Sequence, residues 1–197
     1  MNKFYSLVYS VLWVLAGILF PWKVVGRENV PQEGGVVICA NHTSFLDPIL
    51  VLLAATKKRQ IHVVAKAELF KIPVLNWILK GIEMIPVKRG MSDVTAFKES
   101  LRVLRNGEPL LIFPEGTRVK EGQEVEAHPG AIVMAARSNV PVLPVYIGKK
   151  KRLFRKTDVV FGEPYMLQFE GRKPTHEASQ HMTDELMKKI SALGETL

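Results

Sequence analysis

The stretch Asn41-His42-Thr43-Ser44-Phe45-Leu46-Asp47 puts an imidazole and a carboxylate in one short segment. An imidazole takes a proton near neutral pH, and a carboxylate can hold it in the required tautomer. The pair predicts His42 as a general base with Asp47 orienting it. A base of this kind can deprotonate a hydroxyl as it attacks an activated acyl group, with no serine or cysteine nucleophile. Two further segments carry polar residues that could serve one substrate: Lys88-Arg89 and Glu115-Gly116-Thr117-Arg118. Two guanidinium groups with a nearby lysine suit a doubly charged phosphate, because arginine grips phosphate oxygens in a forked, bidentate way. Backbone amides at the start of the helix after Asp47 could hold a developing oxyanion. Taken singly, each feature has a plainer reading. Asp47 can be a helix cap, His42 a structural histidine, Arg89 and Arg118 solvated loop charges, and Glu115-Gly116 a turn.

These residues need elements to position them. The apolar run 35–40 reads as a buried strand leading into His42, and 48–55 as a helix leading out, with Pro48 suited to its first turn. Residues 61–65 form the next expected strand. Residues 68–80 read as helical, with Pro73 as a break or a start. A short strand over 82–87 runs into Lys88. Ser92 and Asp93 are cap residues for a helix marked by Val94, Phe97, Leu101 and Leu104. A buried strand at 109–113 runs straight into Glu115. Pro129-Gly130 opens a short helix, and 140–147 is a strand bearing Pro141 and Pro144. Prolines cannot donate to a ladder, so that strand is expected at an edge or irregular. A strand at 158–164 and a helix capped by Thr175 complete the chain. Strands alternating with helices predict one α/β domain with a mixed, largely parallel sheet flanked by helices. In open sheets of this kind ligands bind beyond the carboxyl ends of the strands. If the strands are parallel, the three polar groups meet at one edge.

The 197 residues suit a single core, and the formal charge of +8 points to an anionic partner: nucleic acid, anionic lipid or a phosphorylated small molecule. The lone Cys39 leaves no disulfide framework and no cluster for structural zinc. Residues 4–22 are uncharged and rich in Leu, Val, Phe, Tyr and Trp. A signal peptide, a spanning helix and a helix lying on the membrane are the competing readings; attachment is favoured without a choice between lying and crossing. A buried core helix fits less well, since the segment is apolar nearly all round. Ser6, Ser10 and Gly17 make one less apolar stripe, expected to face the protein. The expected division is a membrane-associating helix at 1–22 and a catalytic domain at 23–197. The basic run 149–156, interrupted by Leu153 and Phe154, suits an anionic leaflet.

Four blocks together narrow this. Asn41 to Asp47 resembles the NHxxxxD block of the glycerolipid acyltransferases. Ile85 to Gly90 and Phe113 to Arg118 are similar to that family's second and third blocks, and Val140 to Val145 to its fourth. They fall in family order at family-like spacing. The bacterial 1-acylglycerol-3-phosphate acyltransferases are the group most resembled. The resemblance implies transfer of a fatty acyl group from a thioester on coenzyme A or acyl carrier protein to the sn-2 hydroxyl of lysophosphatidate. It implies His42 as base, Asp47 as its support, and Arg89 and Arg118 as phosphate ligands with Lys88 a weaker candidate. Glu115, Gly116 and Thr117 would shape the glycerol site. It further implies no metal, no cofactor beyond the acyl donor, no nucleic acid, and work at the cytoplasmic face of the cell membrane. Another lysophospholipid or lipid alcohol as acceptor remains an alternative. So does a non-catalytic basic protein of the membrane surface or of nucleic acid.

Overall fold

The computed structural model describes residues 2–88, 93–120, 122–123 and 125–196. Helices and strands follow in the order α1 (Lys3–Leu19), β1 (Trp22–Val25), β2 (Val36–Ala40), α2 (Asp47–Ala55), β3 (His62–Lys66), α3 (Pro73–Gly81), β4 (Ile85–Val87), α4 (Val94–Arg105), β5 (Pro109–Ile112), α5 (Gly130–Ser138), β6 (Val142–Ile147), β7 (Thr157–Phe161) and α6 (His176–Glu195). The strands form one sheet in the order β1-β7-β6-β2-β5-β3-β4. Among the strand pairs of the described residues only β6–β7 is antiparallel. The fold is therefore the mixed, largely parallel α/β sheet expected.

Strand β2 is buried along its whole length, and its pleat explains the unbroken apolar run. Val36, Ile38 and Ala40 face a core layer completed by Leu50, Val51 and Ala54 of α2. Val37 and Cys39 face the opposite layer, with Ala131 and Ile132 of α5 and Leu186 and Ile190 of α6. A strand covered on both faces has no need to alternate apolar with polar residues. Burial also pushes the Cys39 thiol far up from its ordinary value, which makes it a small apolar core residue.

Two expectations are corrected. Strand β6 lies inside the sheet, between β7 and β2, not at an edge. Its proline is accommodated by position. Val142 exchanges backbone bonds with Tyr165, and the Pro144 carbonyl accepts from Gly162 N at 2.9 Å. The missing Pro144 N–H thus faces the stretch just past the end of β7, where no ladder partner waits for it. Gly162 leaves room for the ring, since a Cβ there would stand 2.9 Å from Pro144 Cγ.

The second correction concerns α1. Its protein-facing stripe is Tyr5, Tyr9 and Ala16. Ser10 and Gly17 point outward. The Tyr9 hydroxyl donates to the Leu53 carbonyl of α2 at 3.1 Å, and the Tyr5 hydroxyl accepts from Ile61 N at 3.3 Å. The tyrosines win the inner face because each offers a ring to the core and a polar tip to a backbone hydrogen-bonding group. Helix α1 stops at Leu19, two residues before Pro21. Among the described residues no helix is long and apolar enough to cross a membrane. Pro73 starts α3 rather than breaking a longer helix.

Candidate active site

Strands β2, β5 and β4 run parallel, so His42, Glu115 and Lys88 leave the sheet at the same edge. His42 and Glu115 follow adjacent strands. Lys88 follows a strand three places from β2, which at the usual strand spacing puts its backbone about 14 Å along the edge.

Asn41 fixes the geometry at the end of β2. Its side chain donates to the Ile147 carbonyl at 2.9 Å and accepts from Ile147 N at 2.8 Å, so the ends of β2 and β6 are clamped together. The chain then turns sharply. Asp47 is fully buried, and its Oδ2 accepts from Thr43 N at 2.6 Å and Ser44 N at 2.7 Å. The same oxygen lies 3.0 Å from His42 Nδ1. Asp47 is therefore not the cap of α2: it is the helix's first residue, and its carboxylate closes the turn behind it. Pro48 follows in the first turn of α2, where its missing N–H costs nothing. The amides of Thr43 and Ser44 are committed to Asp47, and Asp47 N donates to Ser44 O at 3.3 Å. The amides of Thr43 and Ser44, in the turn before α2, are therefore not free to serve as oxyanion donors.

With Nδ1 held by the carboxylate, Nε2 is the nitrogen left to accept a proton. The imidazole stacks on Phe113 with ring centroids 4.2 Å apart. Its main chain is anchored on both sides: His42 N donates to Glu115 Oε2 at 2.6 Å, and the His42 carbonyl accepts from Val119 N at 2.8 Å. The loop after β5 and the loop after β2 are thus one unit.

Charge in this unit is balanced. Burial works to raise the Asp47 pKa. The His42 hydrogen bond, the Lys151 charge and the Ser44 amide outweigh it and hold the carboxyl below its usual range. Glu115 goes the other way. Burial raises it, the His42 amide pulls it down, nearby Asp47 raises it and Lys149 lowers it, leaving it pushed up to about 7. One carboxyl of the pair stays ionised while its neighbour is half-protonated near neutral pH.

The remaining expected residues fall as follows. Gly116 adopts φ +63°, and a Cβ there would meet the His128 ring at 3.0 Å; glycine is needed for the loop to turn. Thr117 and Arg118 are exposed beside it. The Arg118 guanidinium lies 3.5 Å from the centroid of the Phe45 ring, which fixes its plane while leaving its edge N–H groups to bind. Lys88 is exposed, and its backbone N donates to Asp93 Oδ2 at 3.0 Å. Arg89 lies outside the described residues.

Sequence reasoning missed Lys151. It sits in the basic run expected to face an anionic leaflet, and the exposed Lys149, Lys150, Arg152, Arg155 and Lys156 remain free to do so. Lys151 instead turns inward. Its side chain is 4% exposed and pairs with Asp47 Oδ1. Burial lowers its pKa, against the pull of Asp47. Nothing in the run marks this lysine; the clamp at Ile147 and the Thr43 hydroxyl hold it under the turn.

An imidazole held by a buried carboxylate at a strand end, beside a basic loop on a largely parallel sheet, is a candidate centre for proton transfer. The family model described as Acyltransferase matches residues 21–148. This chain belongs to the Acyltransferase family. It is 32% identical over 202 residues to a 1-acyl-sn-glycerol-3-phosphate acyltransferase of Bacillus subtilis, covering 100% of this chain and 98% of that one. It is 32% identical over 149 residues to a chloroplastic 1-acyl-sn-glycerol-3-phosphate acyltransferase of Brassica napus, covering 73% of this chain but 42% of that longer protein. Among solved structures it resembles the 1-acyl-sn-glycerophosphate (LPA) acyltransferase PlsC of Thermotoga maritima. That match has TM-score 0.67 and 27% identity, and covers 98% of this chain and 77% of that one.

Proposed function

We propose that the chain moves a fatty acyl group from a thioester on coenzyme A or acyl carrier protein to the sn-2 hydroxyl of lysophosphatidate, giving phosphatidate. The observation that carries this is the buried Asp47 carboxylate holding His42 Nδ1 at the strand edge shared with the Glu115–Arg118 loop. In a family member whose full-length relative is named for this substrate, that arrangement suits hydroxyl activation. His42 Nε2 takes the proton as the sn-2 oxygen attacks the thioester carbonyl. The tetrahedral intermediate then expels the thiolate, which takes the proton back from His42. Asp47 holds the imidazole and stabilises its charged form between those steps. Arg118, stacked on Phe45, grips the phosphate together with Arg89, and Lys88 adds charge from further along the edge. Glu115, Gly116 and Thr117 shape the wall around the glycerol. The chemistry needs no metal. An acceptor panel at fixed donor tests the acceptor: turnover confined to a different lysophospholipid or to a lipid alcohol would replace lysophosphatidate in this reading.

Arg118→Ala is expected to raise the KM for lysophosphatidate by about 10-fold or more, since a charge-assisted phosphate contact contributes about 1.5–3 kcal/mol. The KM for the thioester should stay near wild type. An equal rise in both would remove Arg118 from the phosphate site.

The same reading seats the protein at the cytoplasmic face of the membrane through residues 1–22 and the basic surface. Helix α1, at 17 residues, is about 25 Å long. One face is already packed on α2, while Leu7, Val14, Leu15 and Ile18 stay exposed. Phe45, Leu153 and Phe154 are exposed as well, on the loops that follow β2 and β6, and Phe154 N donates to the Leu19 carbonyl at 2.8 Å. The apolar face of α1 thus continues onto the site edge, which suits a helix lying in the interface rather than crossing it. Flotation with anionic liposomes checks this. Wild type should float, and a variant with Leu15→Glu and Phe154→Glu should not; undiminished flotation of the variant would count against this seating.

A further inference from the structure

We propose that Lys151 is a positioning residue of this reaction, locking the Asp47 carboxylate so that its other oxygen stays aimed at His42. Lys151 lies outside the four sequence blocks, and the proposal rests on the acyl-transfer reading for its kinetic consequences. The geometry supports it from three sides. First, the two oxygens of Asp47 are divided. Oδ2 serves Thr43 N, Ser44 N and His42 Nδ1, whereas Oδ1 faces the Lys151 ammonium. Second, Lys151 is itself fixed: its Nζ donates to Thr43 Oγ1 at 2.8 Å, within the same turn. Third, its place is imposed by the fold, because Asn41 bonds both backbone groups of Ile147, the last residue of β6. The strand end that delivers Lys151 is clamped to the strand end that delivers His42.

The physical argument is one of uncompensated charge. Asp47 is 0% exposed and the Lys151 side chain 4%. A buried ammonium is tolerated only when paired, and a buried carboxylate oxygen without a partner draws a proton or rotates toward one. Either response loosens the bond to His42 Nδ1. Lys151 therefore acts through Asp47 rather than on substrate. Among the described residues, the other charged groups facing this unit are Glu115, on the His42 amide, and Lys149, acting on Glu115. Removing the Lys151 cation makes protonation of the His42–Asp47 pair easier, so the low-pH limb of kcat should move to higher pH.

The test compares wild type with Lys151→Met, Lys151→Gln and Lys151→Arg, using lysophosphatidate with acyl-CoA and, separately, with an acylated carrier protein. The expected result for the two neutral variants is a fall in kcat of about 100-fold, the scale for a misplaced catalytic group. The acceptor KM should be unchanged, the low-pH limb should shift upward, and Lys151→Arg should recover most of the rate. Should Lys151→Met not fold, Lys151→Gln, which can still hydrogen-bond Thr43, takes its place. Unchanged kcat in the neutral variants, a loss confined to KM, or an Arg variant as poor as the Met variant would each overturn the proposal. A second readout separates it from the reaction itself. Proton NMR should show a downfield His42 Nδ1–H resonance in wild type, assigned by its absence in His42→Ala, that is lost or moved upfield in Lys151→Gln. If wild type transfers no acyl group at all, the functional reading falls, and an unmoved resonance in Lys151→Gln overturns the positioning role independently.

Discussion

Replacing His42 by Ala is expected to lower kcat for acyl transfer by about 10²- to 10⁴-fold, the range a positioned general base contributes, with the thermal midpoint close to wild type. The contrast between the two readouts follows from how the residue is held. Its side chain meets Asp47 Oδ2 and the face of Phe113. Its links to the rest of the site are main-chain bonds, His42 N to Glu115 and Val119 N to the His42 carbonyl. Those bonds survive truncation to Ala, so the β2 and β5 loops stay joined while the base is gone. Steady-state kinetics alongside a thermal melt make the comparison. Near-normal turnover in the variant would show that another group takes the proton.

Asp47→Asn should cost both activity and stability. An amide cannot stabilise a charged imidazole and can hold it in the wrong tautomer, and in a Ser-His-Asp enzyme the matching change lowers kcat by about 10⁴. A loss of that order is the upper bound here. The stability cost has a separate origin. Asp47 Oδ2 accepts from two backbone amides and from His42, and Oδ1 pairs with the buried Lys151. Removing the negative charge strands that ammonium, at about 3–5 kcal/mol for a broken buried pair. The pH dependence has a definite sign. Burial opposes ionisation of Asp47, but His42, Lys151 and the Ser44 amide together hold its folded pKa below the ordinary carboxylate value of 3.8. Its contribution is therefore present above that ordinary value and lost as pH falls through the lower, folded one. Urea denaturation should show a wide gap between wild type and Asp47→Asn at neutral pH that narrows in strong acid. A gap of constant width would mean that the charge of Asp47 is not what stabilises the turn.

Most of the architecture could be read from pattern. The runs that became β2 and β5 are continuous and apolar because both faces of those strands are covered. The helices around them carry caps and periodic apolar residues, as with Asp93, whose Oδ1 accepts from Ala96 N. Parallel pairing of β2, β5, β3 and β4 then brings His42, Glu115 and Lys88 to one edge without further information. What pattern could not supply depends on who meets whom in space. Pro144 argues for an edge strand locally. Its missing donor is harmless only because β7 ends at Phe161 and Gly162 makes room. The inner face of α1 looks from sequence like the serine and glycine stripe. It is taken by Tyr5 and Tyr9, whose hydroxyls find Ile61 N and the Leu53 carbonyl, groups distant in sequence. The stacking of Arg118 on Phe45 and the burial of Lys151 are likewise contacts between loops that meet only after folding. A lysine in a basic run has no local feature that marks it as buried.

In the reaction proposed above, His42, held by Asp47, activates the hydroxyl of lysophosphatidate toward a thioester. The most direct measurement is the formation of phosphatidate by purified protein supplied with lysophosphatidate and either acyl-CoA or an acylated carrier protein, run beside His42→Ala. The expected result is phosphatidate from wild type with at least one donor and almost none from the variant. No phosphatidate with either donor, or equal amounts from both proteins, would contradict it.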